Sequence, residues 1–212
     1  MKKSVLLLGL VLAAMSLAYG KSTKLVMSWK NPEYSGPPFH RVLVLGMSAK
    51  PGVRADFEDA LAQLVASPDV KAIPGNTILL RPEGTHLDIN YLREQIRAFK
   101  IDCVIVSRLV KVDSQTTYIP GSAYVVPYPY YRSFYGYYGA VYPVVYTPDY
   151  LSHETTVRVE TNVYATSSGE GELVWTGTSD TFNPSSAHKV IEGLSKLLAK
   201  ELRKEAVLPG AN

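Results

Sequence analysis

The chain has 212 residues, of which 46% are hydrophobic and 19% are charged, and its formal net charge is +3. This composition provides enough apolar residues for a sizeable core, and the charge is far below that expected of a nucleic-acid-binding protein. Cys103 is the only cysteine, which excludes an intramolecular disulfide.

Residues 1–20 have the pattern of a cleavable secretory signal peptide. A cationic start precedes the apolar run Val5–Leu17, and the small residues Ala18 and Gly20 occupy the positions that signal peptidase reads. The run is shorter than the roughly 20 apolar residues of a transmembrane helix. Because Lys21 stands where a lipoprotein would have its cysteine, we expect a periplasmic or secreted protein.

The first half of the remaining chain predicts alternating strands and helices. The predicted elements are strands at 24–30, 42–46, 70–73 and 102–110 and helices near 53–66 and 88–99. Val42–Gly46 is continuously apolar, which is typical of a strand buried on both faces. The helices have apolar residues at spacings of three and four, and Asp88 is a candidate N-cap. We place the start of the domain proper at Arg41.

The last third predicts a hairpin and a final helix. Residues 156–165 alternate apolar and polar, a Gly/Ser turn follows, and residues 173–182 supply the second strand. Asn183 followed by proline is a candidate N-cap for a helix at 185–204. We therefore expect one α/β (α+β) domain over 21–212, with about three helices packed on a mixed β-sheet.

A tyrosine-rich insertion, residues 118–150, interrupts this pattern. It holds eleven of the fifteen tyrosines, together with five prolines. Proline fixes φ and lacks a backbone donor, so the insertion is neither a regular helix nor a central strand. We interpret it as a long loop between two strands of the sheet.

Three roles for this insertion are open: packing on the domain as a lid or remaining a low-complexity loop that binds nothing, recognition of a partner, and membrane contact. Recognition fits tyrosine, which buries a large area at little entropy cost. Membrane contact is the least favoured because prolines fall within the would-be spanning strands. The binding residues that we predict are Tyr130, Tyr131, Arg132, Phe134, Tyr135, Tyr137 and Tyr138.

The sequence has no recognisable catalytic, metal-binding or cofactor-binding pattern. Its four histidines lack a partner at ligand spacing, and neither a phosphate loop nor a nucleophile elbow is present. Cys103 lies within an apolar strand, where a thiol is inert. Glu160 and Glu172 on the predicted hairpin, and Glu154 just before it, are expected to be solvated surface residues.

Four segments carry a resemblance to known proteins: Val42–Val44, Asp102–Val106, Glu160–Tyr164 and Leu173–Thr178. Their order resembles that of a group of uncharacterised bacterial envelope proteins, many of them lipoproteins. More loosely, it is similar to the α/β periplasmic domains of the curli-secretion lipoprotein and of the lipoprotein activators of penicillin-binding proteins. The resemblance implies fold and cellular address and no enzymatic activity.

Together these observations predict a non-enzymatic envelope protein that binds or assembles through its insertion, with no cofactor and no nucleic acid. An envelope protein or a glycan is the expected partner. Two alternatives remain open: a hydrolase that uses the aromatic insertion as a substrate platform, and a component of a secretion channel or pore.

Overall fold

The computed structural model describes residues 23–79, 88–114, 133–136, 155–167 and 169–210. The strands of this part of the chain are β1 (Thr23–Lys30), β2 (Arg41–Met47), β3 (Lys71–Pro74), β4 (Cys103–Ser114), β5 (Thr155–Ala165) and β6 (Glu172–Phe182). Its helices are α1 (Pro51–Val65), α2 (Gly75–Ile78), α3 (Ile89–Ala98) and α4 (Ala187–Lys204). Residues 134–136 add a helical turn.

The six strands form one mixed sheet in the order β1-β6-β5-β4-β2-β3. β2 runs parallel to both β3 and β4, as the predicted β-α-β-α-β order requires. β4, β5, β6 and β1 pair antiparallel. The expected α/β class with a mixed sheet is confirmed.

Two apolar clusters cover the two faces of the sheet. On one face, Val42 and Val44 pack with residues of α1 and α4; on the other, Leu43 and Leu45 pack with α3. All four side chains are fully buried. The continuous apolar run of β2 therefore lies in a strand that is buried on both faces, as predicted.

β1 belongs to the sheet, although the sequence suggested that the domain proper starts at Arg41. β1 pairs with β6 from Thr23 to Lys30 and forms one edge of the sheet. At the start of β2, both carboxylate oxygens of Asp102 accept backbone N–H groups, from His40 and from Arg41, each at 2.9 Å. Asp102 thus joins the beginnings of two neighbouring parallel strands.

The sequence predicted the N-cap of α3 correctly and the N-cap of α4 wrongly. Asp88 caps α3 as expected and accepts the N–H groups of Asn90 and Tyr91. For α4 the prediction was wrong, because Ser186 is the N-cap. Asn183 is used elsewhere: it has a φ of 45° and accepts the N–H of Thr155 at 2.7 Å.

Residues 1–22 lie outside the described residues, so the predicted signal peptide stays a prediction. Among the described residues, none of the helices combines the length and apolar character that crossing a bilayer requires.

Candidate functional site

Ser133–Gly136 is the part of the tyrosine-rich insertion that the structure describes. It includes two of the predicted binding residues, Phe134 and Tyr135. The other five lie outside the described residues: Tyr130, Tyr131, Arg132, Tyr137 and Tyr138.

Phe134 anchors the insertion to the sheet. Its side chain is 0% exposed and belongs to the apolar cluster on the α3 face. Its ring lies 5.6 Å from that of Tyr164 on β5, measured between ring centroids, which is a favourable aromatic contact. Phe134 therefore packs as a core residue, as in the first of the three roles that the sequence left open.

The turn between β5 and β6 provides the space for this anchor. The N–H of Phe134 donates to the carbonyl of Gly171 at 3.2 Å. A Cβ placed on Gly171 would lie 2.7 Å from the Cβ of Phe134, so a larger residue would push the anchor away. Gly171 also has a φ of 80°, which glycine adopts without strain.

Tyr135 connects the anchor to α3. The guanidinium of Arg93 lies 4.4 Å from the centroid of the Tyr135 ring, a cation–π geometry. The same guanidinium donates to both carboxylate oxygens of Glu170, at 3.0 and 3.2 Å. Burial raises the pKa of the Tyr135 phenol, and the positive charges of Arg93 and Arg97 oppose that rise.

A shallow, open depression of about 510 Å³ lies beside this anchor. It is lined by Asn90, Arg93, Glu94, Arg97, Gly169 and Glu170. The four residues from α3 are spaced by three, four and seven positions, which puts them on one exposed stripe of the helix. Leu92 and Ile96 on the opposite stripe are buried and hold α3 against the sheet.

Two arginines and two glutamates line the depression, so their formal charges cancel. Among the described residues, Arg97 has no ion-pair partner, whereas Arg93 is held by Glu170. The site thus offers positively charged hydrogen-bond donors and negatively charged acceptors beside the ring of Tyr135. Such a set suits a ligand rich in hydroxyl or amide groups better than a strongly charged one.

Within the described ranges, the candidate catalytic and metal-binding side chains do not lie close together. There, no three His, Cys, Asp or Glu side chains are close enough to hold a metal ion. Cys103 is fully buried, and burial together with the nearby Asp102 raises its thiol pKa well above the ordinary value. A thiol in this state is a poor nucleophile.

The predicted carboxylates on the hairpin are not all solvated. Glu160 is half-buried and pairs with Arg108 at 3.1 Å, which corrects the expectation of an exposed residue. Glu172 is exposed and accepts a hydrogen bond from Asn31 at 3.1 Å. Glu154 lies outside the described residues.

The sequence did not predict that α3 and the β5–β6 turn contribute residues to the candidate site. Arg93 and Glu170 are 77 positions apart, and nothing in their sequence contexts relates them. The one available signal was the polar stripe of α3, which the helical period sets opposite its apolar stripe.

The chain was compared with known proteins. No family model matches it, and no curated protein matches it closely enough to count as a relative. The chain is similar to the PelC dodecamer from Paraburkholderia phytofirmans, at 11% identity and a TM-score of 0.43, over 84% of this chain and 96% of that one.

Two further solved structures are similar. The lipoprotein GNA1162 from Neisseria meningitidis is 13% identical with a TM-score of 0.36, over 79% of this chain and 98% of that one. A DUF4136 family protein from Bacteroides thetaiotaomicron is 12% identical with a TM-score of 0.36, over 89% of this chain and 97% of that one. Identities and TM-scores of this size assign neither a family nor a function to the chain.

Proposed function

We propose that this protein is a non-enzymatic binding or assembly module of the bacterial envelope, which engages its partner through the tyrosine-rich insertion 118–150. The observation that carries the proposal is the mixed-charge depression on α3, whose Arg93 contacts Tyr135 of the insertion. Because Phe134 is buried in the apolar cluster beside α3, the insertion is fixed to the domain near its middle. This anchor holds the neighbouring Tyr135 against Arg93 of α3.

The surroundings of the anchor support a recognition role. The depression on α3 lies directly beside Tyr135, since Arg93 contacts both Tyr135 and Glu170. Interfaces are enriched in tyrosine and arginine, and the residues that contribute most binding energy are often central, well-packed tyrosine, tryptophan and arginine side chains. A partner would contact the exposed charges of α3 together with tyrosines of the insertion.

The proposal that the protein is located in the cell envelope rests on the N-terminal sequence. The cationic start, the apolar run Val5–Leu17 and the small residues that follow it have the signal-peptide pattern. The partners that an exported protein can meet include cell-wall glycans and other envelope proteins, and either fits a site rich in amide, guanidinium and carboxylate groups.

The test compares capture by isolated envelope fractions. The protein is mixed with cell-wall sacculi and, separately, with outer-membrane fractions, and the bound share is measured by sedimentation. We expect one fraction to retain the wild type and to release a variant in which Tyr130, Tyr131, Tyr137 and Tyr138 are replaced by serine. Binding to protease-treated sacculi that glycan-cleaving digestion abolishes would identify a glycan, and binding to membranes that protease treatment abolishes would identify a protein.

A matched control is the double variant Leu64→Ser, Phe99→Ser, which removes exposed apolar side chains outside the insertion. This control should bind as the wild type does. Equal binding of the quadruple variant and the wild type, with both folded by circular dichroism, would contradict the proposal.

A further inference from the structure

Exposed apolar side chains concentrate on the edge strand β1. Six large hydrophobic residues of the described chain are exposed, and four of them lie on β1 or at the end of its neighbour β6. These four, which we call the β1 patch, are Val26, Met27, Trp29 and Phe182. The other two, Leu64 and Phe99, lie on α1 and at the end of α3.

Three members of the β1 patch project from the same face of the sheet. Ser28 and Lys30 reach Glu205 beyond the end of α4, so the alternating residues Met27 and Trp29 point to the opposite face. Phe182 alternates in the same way with Thr181, whose hydroxyl contacts that of Thr23, and Thr23 lies against Gly193 of α4. Val26 lies at a β-bulge between them.

One positive charge lies on the face of the β1 patch. β1 contains two lysines and no acidic residue, and Lys24 is the one on this face, with its ammonium 6.0 Å from the Phe182 ring. Lys30 instead reaches the carbonyl of Glu205 on the α4 side. The carboxylate of Asp180, which pairs with Lys24 in register, is neutralised by Arg158, from which it accepts two hydrogen bonds of 2.7 Å.

We propose that the β1 patch docks on an anionic membrane surface. Exposed apolar side chains, among them a tryptophan, beside a lysine form the set that lies in the headgroup region of a bilayer. The charge of Lys24 complements that of anionic lipids. This inference does not depend on the proposed function of the insertion.

The position of β1 in the chain agrees with this partner. β1 begins at Thr23, six residues after Leu17, where the N-terminal apolar run ends. Six residues of extended chain reach at most about 20 Å. β1 is therefore the element of the domain that stays closest to the membrane while the N-terminal run is inserted, and the patch remains on the domain after cleavage.

A second copy of the chain fits this edge less well. Pairing of two β1 edges requires a regular strand, and β1 has a bulge between Leu25 and Met27. Bulges at sheet edges disrupt the ladder and oppose edge-to-edge association.

Tryptophan fluorescence tests the proposal because the two tryptophans differ in exposure. Trp175 is 0% exposed and Trp29 is 39% exposed, so a change on binding reports on Trp29. The protein is recovered from the soluble envelope extract, its N-terminus is determined by mass spectrometry, and it is titrated with vesicles. One set is equimolar phosphatidylethanolamine and phosphatidylglycerol, and the other is phosphatidylcholine.

We expect a blue shift of the emission and co-sedimentation with the anionic vesicles, both of which weaken as salt is added. Lys24→Gln should weaken partitioning about fivefold, the effect of removing one lysine charge from an anionic surface. Met27→Ser should weaken it as well. Phe99→Ser, which removes an exposed apolar side chain far along the chain from β1, is the matched control and should bind as the wild type does.

Three results would overturn the proposal. The first is no binding to anionic vesicles at low salt. The second is equal binding by the wild type, Lys24→Gln and Met27→Ser, which would place the contact on another surface. The third is a blue shift without vesicles that rises with protein concentration and accompanies a dimer in size-exclusion chromatography, which would assign the patch to a second copy.

Discussion

Replacing Phe134 by alanine tests whether the insertion is anchored in the core. Phe134 is fully buried, with ring centroids 5.6 Å from Tyr164 and 5.2 Å from Tyr135. Deleting a buried phenyl ring costs about 3–5 kcal/mol, because apolar contacts are lost and a cavity remains. In a chain of this length 1 kcal/mol corresponds to about 2–4 °C, so we expect the melting temperature to fall by about 6–20 °C.

The assay is thermal and urea unfolding followed by circular dichroism, with Phe99→Ala as the matched control. Phe99 is 36% exposed at the end of α3, so its truncation should cost under about 1 kcal/mol. A Phe134→Ala variant as stable as the Phe99→Ala variant would refute the anchor. The burial of Phe134 also means that a serine at this position should destabilise the domain, so binding tests must leave it in place.

Three further predictions concern stability and reactivity. Gly171→Ala should lower the free energy of unfolding in urea more than Gly169→Ala does. Both glycines have φ near 80°, but only a Cβ on Gly171 would meet Phe134. Equal effects of the two substitutions would contradict the close approach of Gly171 to Phe134. Asp88→Ala should cost about 1 kcal/mol through loss of the α3 N-cap, and an unchanged urea midpoint would contradict this role. Cys103 should react with a disulfide reagent only after unfolding, and rapid labelling of the native protein would show that the thiol is accessible.

The sequence predicts most of the fold because the signals are local. The apolar run of β2 and the Asp88 cap followed by the helical period of α3 each lie within one short window. The hairpin of β5 and β6 is likewise predicted by alternation on both sides of a Gly/Ser turn. Such patterns fix the type of an element before any long-range contact is known.

The candidate site is not predictable in the same way, because its contacts are long-range. Phe134 stands among tyrosines and prolines, and no local feature separates a buried aromatic residue there from an exposed one. Its neighbours Tyr164 and Gly171 are more than 25 positions away. The predicted N-cap of α4 was wrong for a related reason. Asn183 and Ser186 are both residue types that cap helices well, and the long-range hydrogen bond from Thr155 to Asn183 decides between them.

Limited proteolysis with mass mapping of the cuts tests the central claim, that the insertion engages an envelope partner. The protein is digested alone and with the envelope fraction that retains it, and the cuts between Tyr118 and Tyr150 are followed over time. The account predicts that the fraction slows these cuts in the wild type and leaves them unchanged in the variant without Tyr130, Tyr131, Tyr137 and Tyr138. Cutting of the wild-type insertion at the same rate with and without the fraction would contradict it.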